Sequence, residues 1–409
     1  MKRQMRNNTM RALVVALITV AFAACSGGGS VPPGASPVSG LSKSTLSETL
    51  SAGTVPHYRL VILGTGLVPA KINNRGVVVG TDISTNQPFV YNNGRVTKLP
   101  LFQGDNVGAA YDVNNRGQVV GYSQDTNSPF FPMHAVTWIN GRVFNLGATA
   151  GYILPATNIA QVINDRGEIA GMSGLSASAG VIPLAIFAPG SVRTIDNSTG
   201  GIYGINNSGE IVGVEVLPQV AISSPFSYPN SIVCSPPLYA HGTILGINNA
   251  GDTISSRADN QLSYLCRNGL GRDLPFAASS INERDDIVGA ASAAQPMLYS
   301  ADKLYDARSL ASTHPDMVLS ENSQLKGVRN YRSSDGAVQG IILCISPGDA
   351  VLYSDGKLYD LNELVRDRDG IVLQNAVSIN NRREIVGYSS TTSTPIGYLL
   401  VPERNDDDR

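Results

Sequence analysis

Four histidines could act as bases or metal ligands: His57, His134, His241 and His314. None stands at metal-ligand spacing from another. His134 opens an apolar run and reads as a half-buried strand residue, the alternative being a ligand or base. His241 precedes Gly242 and reads the same way. No Gly-x-Ser-x-Gly nucleophile elbow occurs. The carboxylates are scattered singly. Asp367-Arg368-Asp369-Gly370 shares part of a calcium-loop pattern, lacks the downstream Glu, and reads as a solvated turn. The sequence thus assigns no catalytic residue, no cofactor and no metal site.

The polar residue that does recur is Asn. Ile72-Asn73-Asn74-Arg75-Gly76 leads into Val78-Val79-Gly80, and altered copies follow. The leading Asn falls at Asn73, Asn114, Asn164, Asn206, Asn248, Asn282 and Asn380, with a worn copy at Asn330. The first Gly is Gly76, Gly117, Gly167, Gly209 and Gly251; Asp285 and Arg383 replace it in two copies. The second is Gly80, Gly121, Gly171, Gly213, Gly289 and Gly387, with Ser255 in one copy. These Asn residues could form a ring of polar ligand contacts. The simpler reading is structural. Asn accepts local backbone hydrogen bonds and Gly reaches the left-handed region without a Cβ clash. A type I turn with a left-handed Gly bulge is expected between two β-branched runs. Asp285 tolerates that conformation moderately and Arg383 poorly, so the Arg383 turn is expected to be strained or differently built.

These turns must be held by strands. After each hairpin comes a third apolar run, such as Pro88-Phe89-Val90-Tyr91 or Ala135-Val136-Thr137-Trp138. A tight turn follows, such as Asn93-Gly94 or Asn140-Gly141, and then a fourth run, such as Val96-Thr97-Lys98-Leu99. Four short strands repeated at a spacing near 40 residues predict an all-β propeller of four-stranded blades. Eight copies imply eight blades, with seven as the alternative. The last copy has three strands, and Tyr58–Leu63 supplies the missing fourth type ahead of the first. The ring is therefore expected to close through an N-terminal strand, removing free edges. Third-strand aromatics such as Tyr91, Trp138, Phe187 and Tyr353 are expected to pack between blades, with carbohydrate stacking as the alternative.

The 42 glycines and 23 prolines suit a turn-dense β protein, and a formal charge of −2 lacks the basic excess that nucleic acid requires. Residues 1–24 read as a signal peptide: Lys2, Arg3, Arg6 and Arg11 precede an apolar run that is too short to span a bilayer. Residues 25–57 form a Gly/Ser/Pro tether, whose 32 residues after Cys25 reach on the order of 30 Å. Residues 58–402 are the propeller and 403–409 a solvated tail. Cys234 and Cys266 fall in adjacent units, so one disulfide is open to them, with Cys344 left over.

Two resemblances add to this. Phe22-Ala23-Ala24-Cys25 resembles a bacterial lipoprotein lipobox, which implies that Cys25 is lipidated and ties the chain to a membrane. Ser26 after it implies the outer membrane. The repeats resemble the HAF repeats of bacterial extracellular proteins in their Ile-Asn-x-x-Gly-x-(Ile/Val)-Val-Gly segment. His134-Ala135-Val136 and Asn145-Leu146-Gly147 match the rest of that pattern. The family supplies no catalytic residues. Links between strands two and three, and between units, vary in length and emerge on one face, where binding usually lives. The expected role is a tethered module that binds protein or glycan through that face. The alternatives are a polysaccharide hydrolase or lyase, or a purely structural envelope protein.

Overall fold

The computed structural model describes residues 57–403 except 129–131, 148–155, 176–182, 189, 218–221, 230–233, 235–242, 257–261, 293–294, 307–340, 346–348, 355–356 and 391–392. None of the described residues is helical. The fold is an all-β propeller. In the first unit the strands Leu67–Ile72, Val78–Asp82, Gln87–Asn92 and Arg95–Lys98 pair in chain order, each antiparallel to the next. The fifth and sixth units repeat this order.

The expected eight separate four-stranded blades are not what the described residues form. They make five small sheets, four of four strands and one of three, and one sheet of ten strands. The large sheet fuses units two to four at two places. Thr157 pairs in parallel with Met133. Ser191–Ile205 runs as a single strand, its first part paired with Pro183–Ala188 and its last with Ile211–Leu217. The unit boundary there stays extended instead of turning, so the backbone ladder continues through it. The three-stranded sheet, Ile341–Ile345, Asp349–Ser354 and Lys357–Asp360, carries the later strands of the worn copy. Asn330 itself lies outside the described residues.

The chain's beginning clasps its end. Tyr58–Thr65 pairs with Ile396–Pro402, from Tyr58 opposite Pro402 to Thr65 opposite Ile396. Tyr58 N also donates to Leu364 O and Glu403 N to His57 O.

The core lies between units rather than within them. Val78 faces Val386 and Leu399 of the last unit, while its neighbour Val79 faces Val113, Val136 and Trp138 of the second. Successive residues of one strand thus feed two different cores, which is why the second strands read as unbroken Val/Ile runs. Three of the four aromatics follow the expected packing, the Tyr353 side chain lying outside what the structure describes. Trp138 packs on Val77, Val79 and Leu99, Phe187 on Val120 and Leu146, and Tyr91 on the cluster holding Val386 and Leu399. Outermost strands such as Arg95–Lys98 and Arg142–Asn145 are short and carry charge, which discourages edge-to-edge pairing.

The Val-Gly glycine has a separate cause. Each described first strand has a bulge three residues before the leading Asn, as between Ala110 and Asp112. It drives the strand's backbone into its partner. A β-carbon on Gly121 would sit 2.0 Å from Ala109 O, and on Gly171, Gly213 and Gly289 the same clash recurs at 1.9–2.0 Å. Gly121→Ala is therefore expected to destabilise the ring by about 3 kcal/mol, through forced backbone movement. Gly141→Ala meets nothing within 4 Å and bears only the cost of its φ of +75°, about 1–2 kcal/mol. Urea unfolding of the two variants, followed by the fluorescence of Trp138, checks the order.

Candidate binding face

The Asn turn is built as expected. Gly76 N donates to Asn73 O at 3.0 Å with Gly76 at φ +82°, and Asn73 Oδ1 accepts from Arg75 N and Val77 N. Gly117, Gly167, Gly209 and Gly251 take the same conformation. Arg383 does too, at φ +62°, with Arg383 N donating to Asn380 O at 3.0 Å. The turn at Arg383 is thus not differently built; the bulky residue adopts the shared geometry and carries its strain.

What the sequence did not reveal is the second job of the same Asn. Its amide donates to the carbonyl of the next unit's Asn: Asn73 to Asn114, Asn114 to Asn164, Asn164 to Asn206, Asn206 to Asn248, Asn248 to Asn282, at 2.8–3.3 Å. Asn380 donates to Asn73 O at 2.9 Å and carries the same bond across the chain's ends, while the step between Asn282 and Asn380 passes through Asn330, outside the described residues. A second belt runs beside it. Asn74 N donates to the Asn115 side chain, Asn115 N to Asp165, Asp165 N to Asn207, Asn207 N to Asn249, Asn249 N to Glu283, and Asn381 N to Asn74. A signal for this was present. The residue after the leading Asn has an acceptor side chain in all seven of these copies. Arg side chains add a third tie: Arg382, Arg116 and Arg166 lie against Gly76, Gly167 and Gly209 of the following units. The leading Asn residues are 1–4% exposed. On this face their polar groups are spent on one another.

The opposite face differs. Its links carry polar groups arranged pair by pair rather than in a belt. Asp82 accepts from Ser84 N and Thr85 Oγ1 and lies 3.5 Å from Lys98 Nζ. Burial alone would raise its pKa, but the Thr85 and Ser84 hydrogen bonds and the Lys98 charge outweigh that and hold it below the usual value. Asn106 and Thr126 bond each other side chain to backbone and side chain to side chain. His134 Nδ1 meets Asp105 Oδ2 at 2.9 Å, and its ring lies against Phe102 with centroids 5.1 Å apart. The Asp105 side chain is 1% exposed and that of His134 is 27% exposed. A buried carboxylate on one ring nitrogen orients the other for a ligand or a proton. The sequence placed His134 at a strand start, half-buried, as found. It gave no hint of Asp105, which is brought in by a turn in the link between units.

Tyr111 of the second unit's first strand lies against Tyr122 of its second, with ring centroids 5.7 Å apart, in the core that also holds Met133, Ile159 and Met172. Burial pushes the Tyr122 hydroxyl up to about 12, and burial with the neighbouring Tyr122 pushes Tyr111 well above its ordinary value. Both stay protonated. Lys71 and Asp112 form an ion pair at 3.8 Å, and Asp112 also accepts from Ile163 N.

Cys234 and Cys266 form the disulfide that spacing left open, with Cα atoms 6.0 Å apart. Both are buried beside Tyr264. Among the described residues no three His, Cys, Asp or Glu side chains gather as a metal site would require. Asp367–Gly370 is a turn, with Ile371 N donating to Arg368 O. Cys25, His241 and His314 lie outside the described residues.

No protein-family model matches the chain, and no curated protein does. Solved structures similar to it include YCF48 from Cyanidioschyzon merolae, at 10% identity and a TM-score of 0.43, covering 84% of this chain and 98% of that one. Hsv2 from Kluyveromyces lactis is similar at 12% identity and a TM-score of 0.36, covering 83% and 98%. XC5397 from Xanthomonas campestris, a gluconolactonase, is similar at 11% identity and a TM-score of 0.32, covering 85% and 94%.

Proposed function

We propose that this chain is a membrane-tethered, extracytoplasmic propeller of eight HAF-like units that binds a protein or a glycan through its variable face. The contrast between the two faces carries the reading. On the turn face the Asn amides and carbonyls of the described copies are consumed in bonds from one unit to the next. On the other face the side chains are diverse, are set on links of unequal length, and include the His134–Asp105 pair. Varied loops on a rigid scaffold suit recognition. The buried Cys234–Cys266 disulfide fits an oxidising compartment and so supports export. The tether and Cys25 would then hold the ring at a membrane through lipid. The eight-unit count rests on the eight Asn copies in the sequence.

The test is a screen of the full chain against envelope polysaccharides and envelope protein extracts. It is repeated with the links 101–106 and 124–128 replaced by Gly/Ser segments, and with Arg166→Ser on the turn face. The expected result is a ligand whose affinity falls at least about tenfold on link replacement and is unchanged by Arg166→Ser. Binding that ignores the links, or that depends on Arg166, would count against the reading.

A further inference from the structure

The place opposite the first residue of each second strand holds a recurring side chain. By backbone register it is Tyr91, Trp138, Phe187, Tyr228, Tyr299 and Tyr353 in six units. The last unit has Leu400 there, and the fifth has Cys266. Where its side chain is described, this residue reaches back to the outer run of the preceding unit or to the residues just after it. Trp138 Nε1 donates to Pro100 O at 2.7 Å. Phe187 shares a core with Leu146, Leu400 with Tyr359, and Tyr91 with Val61 and Leu63 of the closing strand.

Two seams are built alike. Arg193 stands six residues past Phe187; its guanidinium lies 5.0 Å from the centre of the Tyr228 ring and donates to the Tyr228 hydroxyl. Arg272 stands six residues past Cys266; its guanidinium lies 5.2 Å from the centre of the Tyr299 ring and donates to that hydroxyl at 2.7 Å. These contacts close the third unit on the fourth and the fifth on the sixth. The seam between them, fourth on fifth, uses the same two places. Cys234 stands six residues past Tyr228 and is joined to Cys266. Both are 3% exposed. The residue facing Cys266 changes too. The second strand opens with Val or Ile in the other units but with Thr253 here, fully buried, whose Oγ1 has no hydrogen-bond partner among the described residues.

We propose that the Cys234–Cys266 disulfide is an oxidation-closed joint: it takes the place of the Arg-on-Tyr contact at the seams on either side, and without it the fourth and fifth units part. Two thiols cannot do the work of either contact. They lack the area of a Tyr ring under a guanidinium, and S–H is a weak donor. The seams on either side close by packing as the units meet. This one closes when the two thiols give up two electrons and two protons to an external disulfide by exchange. A dithiol reverses the step: it supplies two electrons and two protons, becomes a cyclic disulfide and leaves Cys234 and Cys266 as thiols. The bond also joins residues 32 apart and so restricts the unfolded chain. That effect bears on the ring as a whole, whereas the loss of a seal is local.

The experiment is amide exchange, corrected for intrinsic rates, on the full chain in four forms: oxidised, reduced with dithiothreitol, Cys234→Ser with Cys266→Ser, and Cys234→Arg with Cys266→Tyr. Alkylation and peptide mapping confirm that both thiols are free in the reduced form. In the reduced and Ser forms, Ile244–Ile247, Thr253–Ser256 and Ser263–Arg267 should exchange roughly tenfold faster than in the oxidised form, while Val107–Val113 and Val119–Gln124 should not. The Arg and Tyr pair should return the fifth unit to within about threefold of the oxidised form, and dithiothreitol should not move it. Exchange in the reduced or Ser form that quickens evenly round the ring, or not at all, would overturn the proposal, whether or not the Arg and Tyr form folds. A folded Arg and Tyr form that exchanges like the Ser form would overturn it as well.

Discussion

A chain that begins at residue 66 is expected to lose cooperative folding, whereas one that begins at residue 57 keeps it. The eight residues Tyr58–Thr65 are the outer strand of a sheet whose other three strands come from the chain's far end. Removing them strips Tyr58 and Leu63 from buried positions and Leu60 and Val61 from partly buried ones. At about 1.5–3 kcal/mol for each fully buried side chain, the loss is roughly 5–8 kcal/mol. That is comparable with the whole stability of an ordinary domain, about 5–15 kcal/mol. The deletion also bares the ladder edge of Ile396–Pro402, which carries Ile396, Leu399, Leu400 and Val401 and invites pairing with another chain. Size-exclusion chromatography should show association of the shortened protein, and urea unfolding a lowered or vanished transition. Trp138 is the single tryptophan and is 1% exposed between the first two units, far in sequence from the cut. If its transition midpoint is the same in both proteins, the clasp does not hold the ring together.

That closure was readable because it is a matter of counting. A last copy short of one strand, and an unmatched strand ahead of the first copy, leave one solution. The strand pattern and the Gly-bearing turns were readable for the same local reason: Gly at φ > 0 and β-branched runs act within a few residues. What escaped notice was nonlocal. The side-chain amide of Asn73 contacts a residue 41 places away, and that of Asn380 one 307 places away, in a direction set only once the units stand side by side. Fusion of units two to four into one sheet turned on whether residues 195–202 bend, and nothing in their types forbids an extended path. The Asp105–His134 pair joins a link to a strand 29 residues away, and links have no periodicity to read. At Arg383, of the two outcomes the residue type left open, strain is the one found: the belt contacts of Asn380 and Asn381 accompany the shared turn, and the bulky residue holds a positive φ within it.

The belt makes a sharp prediction at Asn114. If Asn served only its own turn, aspartate would replace it at little cost, because a carboxylate accepts as well as an amide oxygen does. Asn114 Oδ1 accepts from Arg116 N at 3.1 Å and Gln118 N at 3.0 Å, and both bonds survive in Asn114→Asp. The third does not: Asn114 Nδ2 donates to Asn164 O at 3.1 Å, and a carboxylate would set oxygen against oxygen there. Asn114 is 3% exposed, so the charge would also be poorly solvated. We therefore expect Asn114→Asp to lose roughly 2–4 kcal/mol at neutral pH, about as much as Asn114→Ala, which forfeits all three bonds but buries no charge. The two variants part on acidification. A protonated Asp can donate to Asn164 O; its pKa is raised by the folded state, so stability returns as pH falls through that raised value, while the Ala variant gains nothing. Asn93→Asp is the control. Asn93 sits exposed at φ +48° in a turn outside the belt, and its replacement should change stability by no more than about 0.5 kcal/mol. Urea unfolding at three pH values decides the matter. An Asn114→Asp protein as stable as Asn93→Asp at neutral pH would reduce the belt to a by-product of the turns, and one that fails to recover in acid would mean the amide's donor is not what joins the units.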